Sequence, residues 1–229
     1  MFGTNPISRI ENNNDGRTLH VVKGSPFRTL QGEGPFAGHP ATFIRLHGCN
    51  LRCTFCDTQF SDPDDPWIDI ADLALKSQLH GYRLVVITGG EPMRQNILPL
   101  CRLLHAAKFL VQIETAGTIW IDDIQEVAKI IVSPKTPTLN PMAKKYAMAF
   151  KYIISSLNLH DGFIPITATQ PGATPKRLAS PRAHAPVYLS PCDEYDDTIN
   201  QANRKLVGDL AMKYDVIGGL QLHKFMGLD

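Results

Sequence analysis

The chain has 229 residues, 43% of them hydrophobic, enough to bury one full core. Its 23 Lys and Arg against 22 Asp and Glu leave no basic footprint for direct nucleic-acid binding. No uninterrupted apolar run approaches the roughly 20 residues that span a bilayer, so no membrane partner is expected. Five cysteines without a secretory signal point to a reducing compartment, the cytoplasm.

Apart from a short polar turn at Asn12, Asn13 and Asn14 there is no low-complexity tract and no internal repeat. Residues 17–23 and 41–46 read as early strands, the second running directly into a cysteine-rich loop. Asp69, with Asp72 three residues on, opens a helix through Leu73, Ala74 and Leu79 that Gly81 stops. Residues 83–88 form a β-branched run short enough for a strand buried on both faces. A helix over 97–107, a strand over 110–114, a helix over 121–127 and a strand over 129–133 follow. Beyond these, 150–154, 187–190 and 216–222 read as strands and 195–214 as the last long helix. The stretch 166–186 carries Pro171, Gly172, Pro175, Pro181 and Pro186, a poor helix that reads as one long irregular loop.

This alternation implies a parallel sheet with right-handed crossovers. About six parallel strands are too few for a closed eightfold barrel, which takes about 250 residues. The expected architecture is therefore α/β, a single domain over 1–229 forming a partial, open (β/α)6-type barrel, with its ligands at the carboxyl ends of the strands.

The most informative residues are Cys49, Cys53 and Cys56, a C-x-x-x-C-x-x-C array with Phe55 before its third member. Three thiolates at this spacing suit three corners of a 4Fe-4S cluster, leaving the fourth iron without a protein ligand. A structural zinc site usually needs a fourth Cys or His at matching distance. Here Cys101 and Cys192 stand isolated, and His47 is too close to Cys49 to serve easily. The array resembles the signature of radical S-adenosylmethionine (SAM) enzymes. In that superfamily the open iron binds the amino and carboxylate groups of SAM, and an electron from the cluster cleaves it to a 5'-deoxyadenosyl radical.

The strand ending at Thr88 leads into Gly89-Gly90-Glu91-Pro92, two glycines that admit close backbone approach and then a carboxylate. Alone this would be a plain strand-to-helix turn. Beside the cysteines it resembles the superfamily's G-G-E-P, in which Glu91 would meet the SAM ammonium directly or shape the loop that does. Glu114 and Ser133 close the next two strands and become candidates for ribose or methionine contacts. Upstream, Gly32 and Gly34 flank Glu33 on a close-approach loop, and Arg45 lies near the end of the following strand. An acid and a guanidinium at one sheet end suit a substrate with an N–H-rich ring and a carboxylate.

Taken together, Thr29-Leu-Gln-Gly-Glu-Gly34, Arg45-Leu-His-Gly-Cys49, Cys53-Thr-Phe-Cys-Asp-Thr58, Thr88-Gly-Gly-Glu-Pro92, Glu114-Thr-Ala-Gly117, Ser133-Pro-Lys135 and Gln221-Leu-His-Lys224 resemble the 7-carboxy-7-deazaguanine synthase family. The motifs run in the family's order from near residue 29 to the C-terminus. The resemblance implies a radical SAM core and a carbon–nitrogen lyase. Its reaction contracts 6-carboxy-5,6,7,8-tetrahydropterin to 7-carboxy-7-deazaguanine with loss of ammonia, toward queuosine- and archaeosine-type 7-deazapurines. It implies a 4Fe-4S cluster on Cys49, Cys53 and Cys56, with SAM contacts from Phe55, Asp57, Gly89, Gly90, Glu91, Glu114, Ser133 and Lys135. Substrate contacts fall to Gln31, Glu33, Arg45, Thr88, Gly90 and His223, with Asp229 folding the terminal carboxylate over the pterin, and Mg²⁺ to Thr58. It further implies a homodimer and an electron donor such as a flavodoxin or ferredoxin, and no catalytic residue beyond the cofactor-generated radical. Ala116 departs from the Asn or Ser usual in the family's E-T-x-G.

Two other functions share the cysteine array. One is a radical SAM activating enzyme acting on a partner protein, whose pattern does not demand Gln31-Gly-Glu-Gly34 or Gln221-Leu-His-Lys224. The other is a non-catalytic iron–sulfur or zinc protein, which predicts no SAM cleavage.

Overall fold

The computed structural model describes residues 5–8 and 15–228; the Asn12–Asn14 turn and Asp229 lie outside them. In chain order the strands are β1 (Thr18–His20), β2 (Phe27–Leu30), β3 (Pro40–Leu46), β4 (Trp67–Asp69), β5 (Leu84–Gly89), β6 (Leu110–Thr115), β7 (Lys129–Val132), β8 (Ala147–Ile154), β9 (Leu159–Asp161), β10 (Ile164–Thr167), β11 (Lys176–Arg177), β12 (Val187–Pro191) and β13 (Ile217–Gly218). The helices are α1 (Ile70–His80), α2 (Leu98–Ala106), α3 (Ile124–Val127), α4 (Pro141–Tyr146), α5 (Asp197–Tyr214) and α6 (Leu222–Phe225).

An eight-stranded sheet runs β13-β12-β8-β7-β6-β5-β3-β2. Only β2 is antiparallel to its neighbour; every other pairing, from β3·β5 to β12·β13, is parallel. The order is linear, so the sheet stays open as expected, although it has seven parallel strands and an antiparallel edge strand where about six parallel strands were expected.

Local chemistry sets the elements. Asp69 caps α1 by accepting from the Ala71 N–H at 2.7 Å, and Gly81 ends it in the left-handed region at φ 78°. Residues 84–87 of β5 are buried on both faces, which a β-branched run between helices and cavity requires. Period-2 alternation then sorts the sheet into two sides. Ile44, Leu46, Val85, Ile87, Ile113, Ile130, Val132, Phe150, Tyr152 and Leu189 belong to the main core with Leu73, Leu100 and Leu104 of the helices. Fully burying each such side chain contributes about 1.5–3 kcal/mol. The alternate residues Arg45, Thr88, Glu114, Lys151 and Ile153 line a cavity on the other side.

Several elements differ from the sequence expectation. The strand over 17–23 shortens to β1 and pairs with β4 in a separate two-stranded ribbon, outside the main sheet. The 27–35 motif contributes an edge strand, β2, before its loop begins. The predicted helix over 121–127 is the single turn α3, and α5 starts after Tyr195, whose φ of 54° takes it out of the helix. The stretch 166–186 is not one irregular loop. Its first two residues, in β10, and its middle, as β11, enter a three-stranded antiparallel sheet, β11-β10-β9, because β10 finds both partners nearby in sequence.

The strand over 216–222 reduces to two residues. At Gly219 a Cβ would stand 3.4 Å from the Leu189 carbonyl oxygen, and the chain turns away from the sheet there into α6. His223 is thus on a helical turn rather than after a strand.

Candidate active site

The cysteine loop leaves β3 through Gly48 and is held from three sides. The Gly48 N–H donates to the Phe60 carbonyl at 2.7 Å, and its own carbonyl accepts from the Glu91 N–H at 3.0 Å. Buried Arg94 donates to the His47 carbonyl at 3.2 Å. Outside, the Thr54 N–H donates to the Thr169 carbonyl at 3.1 Å and the Arg52 N–H to Gln170 Oε1 at 2.9 Å. The proline-rich stretch therefore braces the cysteine loop.

Gly89 and Gly90 allow the next loop to press against this one. A Cβ on Gly90 would stand 2.0 Å from the Gly48 carbonyl oxygen and 2.8 Å from Cys49 Cβ. Glu91 lies behind that wall with no exposed surface. Its carboxylate accepts from the Met93 N–H, the Ala116 N–H and the Thr115 hydroxyl, tying the end of β5 to the end of β6. Burial pushes its carboxyl up against the opposing pull of those donors. Of the two roles expected for Glu91, this geometry corresponds to shaping the loop.

A single cavity of about 470 Å³ collects nearly every residue singled out in the sequence, a volume typical of small-molecule sites. Cys49, Cys53, Phe55, Cys56, Asp57 and Thr58 line one wall, and Thr88, Gly89 and Gly90 another. Glu114, Ser133, Lys135, Gln31, Glu33, Arg45 and His223 also face the space. Glu91 does not line it, and Asp229 is outside the described residues.

The electrostatics vary along this space. Burial pushes the thiols of Cys49 and Cys53 up to about 12 and about 11, and that of Cys56 up as well. Lys135 stands near Cys53, opposing the rise there, with its ammonium 5.9 Å from the Phe55 ring centre. The Arg45 guanidinium packs over the Phe27 ring at 5.3 Å, near Asp57 and Cys56. Thr58 donates its hydroxyl to Asp57 Oδ1 at 3.2 Å. Lys224 of α6 bridges Asp57 at 3.0 Å and Asp193 at 3.2 Å, so the C-terminal turn is pinned to the cysteine loop. The Leu222 N–H donates to the Gly32 carbonyl at 3.1 Å, and the His223 ring covers Gly32 where a Cβ would clash.

The sequence reading missed Lys151. Its ammonium lies 2.8 Å from Glu33 Oε2 and 3.0 Å from Glu114 Oε2, with only 9% of its side chain exposed. A lysine inside the apolar run of β8, Ala147–Ile154, was the available signal, because Lys is rarely buried unless paired. Ser190, Thr115 and Asp193 were missed for want of any such local mark.

Comparisons with known proteins bear on this arrangement. Residues 43–137 match the Radical SAM superfamily. A 7-carboxy-7-deazaguanine synthase from Rhodospirillum rubrum is 41% identical over 200 residues, spanning 85% of this chain and 83% of the relative. The chain belongs to the 7-carboxy-7-deazaguanine synthase family. Another member, from Rickettsia prowazekii, is 38% identical over 240 residues, spanning 100% of this chain and 96% of its own. The crystal structure of QueE from Escherichia coli superposes with a TM-score of 0.66 at 25% identity, covering 93% of this chain and 99% of that one.

Membership of the Radical SAM superfamily implies a 4Fe-4S cluster and SAM. The donor set fits such a cluster. Three free thiols on one loop line one cavity. Among the described residues no three His, Cys, Asp or Glu side chains close on a single ion; a cubane takes one thiolate per iron and needs no such closure.

Proposed function

We propose that this synthase-family chain contracts 6-carboxy-5,6,7,8-tetrahydropterin to 7-carboxy-7-deazaguanine with loss of ammonia, and that residues 1–229 act as one radical SAM domain. One observation carries the reading. The cavity that holds the cysteine triad also presents three buried polar atoms without hydrogen-bond partners, Glu33 Oε1, Thr29 Oγ1 and His223 Nδ1. Orphaned buried groups cost about 1–3 kcal/mol each unless a ligand satisfies them, and a pterin ring offers both N–H donors and ring acceptors.

In this reading Cys49, Cys53 and Cys56 would hold the cluster, and Phe55, Gly89, Gly90, Glu114, Ser133 and Lys135, which line the same cavity, would contact SAM. When bound, these cofactors would supply the hydrogen-abstracting radical chemistry. The protein binds and orients. Glu33 Oε1 accepts from ring N–H groups, and the lowered carboxyl of Glu33 keeps it an acceptor. Burial alone would raise that carboxyl, but the Lys151 ammonium outweighs it. Arg45, steadied on Phe27, pairs with the substrate carboxylate. Gln31, Thr88 and Gly90 complete the pocket, together with His223 of the C-terminal turn.

Mg²⁺ is proposed at Thr58, where the hydroxyl and the neighbouring Asp57 offer the oxygen donors that a hard cation prefers, with waters and substrate oxygens completing its shell. A flavodoxin or ferredoxin as electron donor, a homodimer and a cytoplasmic setting belong to the same proposal. All five cysteines are free thiols, which suits a reducing compartment. Among the described residues no helix is long and apolar enough to cross a membrane.

The test is anaerobic incubation of the reconstituted protein with dithionite, SAM, Mg²⁺ and the pterin. The expected result is 7-carboxy-7-deazaguanine with SAM regenerated. No deazaguanine from protein whose cluster is intact by spectroscopy would falsify the proposal. SAM cleavage without that product would point to an activating enzyme, and no cleavage at all to a non-catalytic iron–sulfur protein.

A further inference from the structure

Three charges from three distant parts of the chain meet in the lining of the cavity. Lys151 of β8 sits between Glu33, on the loop after β2, and Glu114, at the end of β6. The two carboxylate side chains are 13% and 12% exposed. The loop is further fixed by the Glu33 N–H, which donates to Gln31 Oε1 at 3.2 Å, and by Gln31 Nε2, which donates to Glu114 Oε1 at 3.3 Å. Glu33 spends Oε2 on Lys151, while Oε1 is buried and unpartnered beside the cavity.

We propose that Lys151 is a positioning residue for the substrate: by holding Glu33 through Oε2 it keeps that carboxylate ionised and turns Oε1 toward the N–H groups of the bound ring. The inference rests on the proposed function above and extends it to a residue that need not touch the substrate. The physical reason is charge balance. Two carboxylates this close and this buried cannot both stay ionised without a cation between them, and a protonated Glu33 offers an O–H where the ring requires an acceptor. Neighbouring groups that could compensate are few. The groups facing Glu33 are Ser190 from β12, His223 from α6, Lys135 after β7, Glu114 from β6 and Gln31 on its own loop. Only Lys135 and His223 among them carry or can carry positive charge.

The test uses the reconstituted holoenzyme with SAM and the stable product 7-carboxy-7-deazaguanine as probe, measuring Kd by anaerobic calorimetry from pH 6 to 9. K151M is expected to bind about tenfold more weakly than the natural protein at pH 6 and to recover toward it at pH 9, as the destabilised carboxyl ionises. The difference between the two profiles is the readout, because His223 titrates in both. K151M/E33Q removes one positive and one negative charge, so the cluster keeps its net charge with Glu114 as its one remaining carboxylate, and decides the matter even if K151M does not fold. It is expected to bind within about twofold of E33Q, since Lys151 acts through Glu33. A K151M profile matching the natural protein overturns the inference, as does a further tenfold loss in K151M/E33Q beyond E33Q. Failure of the natural protein to form the product would instead sink the proposed function.

Discussion

Four of the five cysteines show how one chemistry can occupy two environments. Cys101 lies on α2 among Leu100 and Leu104 with no exposed surface, and burial alone pushes its thiol up; it is a core residue. Cys49, Cys53 and Cys56 line the cavity instead, where burial also pushes their thiols up; a cluster bound there would itself stabilise the thiolates. Cys49→Ala, Cys53→Ala and Cys56→Ala are each expected to lose the cluster's visible absorption and all SAM cleavage, with Cys101→Ala retaining both. Loss of the absorption in the Cys101 variant would show that the ligands were chosen wrongly. Thr58→Val removes a hydroxyl that, among the described residues, donates to its neighbour Asp57. It should spare the cluster while shifting the Mg²⁺ dependence of turnover, and a normal Mg²⁺ response would remove Thr58 from the metal site. At this scale the cysteines were readable because their spacing is local. Lys151 was not, because a single charge within a strand acquires meaning only through Glu33 and Glu114, 118 residues away in the first case.

At the level of elements, what local chemistry marks was readable. Asp69 and Gly81 bound α1, and the β-branched run of β5 declares its burial. What depends on partners was not. Nothing within 216–222 reveals that the chain leaves the sheet at Gly219, nor does the proline-rich stretch announce that β10 pairs on both sides. The contact between two loops gives a direct test. Gly90→Ala would drive a methyl group into the Gly48 carbonyl and Cys49 Cβ, and backbone cannot yield as a flexible side chain can. Cluster content after reconstitution should fall several-fold with little change in far-UV circular dichroism. Gly208→Ala, inside α5 with nothing within 4 Å of the new methyl group, should instead add about 0.5–1 kcal/mol and raise Tm by a few degrees. Full cluster occupancy in the Gly90 variant would mean that the two loops are free to separate.

Across the whole molecule, the Lys151 network ties the loop after β2 to β6 and β8, and Lys224 ties the C-terminal turn to the cysteine loop. The first of these sets a pH dependence. Glu33's carboxyl is lowered from 4.5, so its stabilisation is present above that value and lost as pH falls through the depressed one. Lys151's ammonium is raised from 10.5, so its stabilisation is complete below that value and lost as pH climbs past it. Tm should therefore be level in this respect between the two and decline outside them, with flatter shoulders in K151M/E33Q. Parallel Tm curves for the two proteins would refute the coupling. Breaking the network on one side by K151M should cost about 3–5 kcal/mol, and removing the pair together should cost less.

The sequence by itself determined the chemistry of the cysteine loop, the alternation of strands and helices, and the family, because these reside in residue type and short spacing. It also named many of the residues that line the cavity, which stand at strand ends or on the loops that follow them, with His223 on the C-terminal helical turn. Only the tertiary structure decided how they divide the work. It withdrew Glu91 behind the wall, set the proline-rich stretch against the cysteine loop, and placed Lys151 between two carboxylates. Those outcomes depend on distances between segments far apart in the chain, and such distances exist only once the sheet has brought the strands into register.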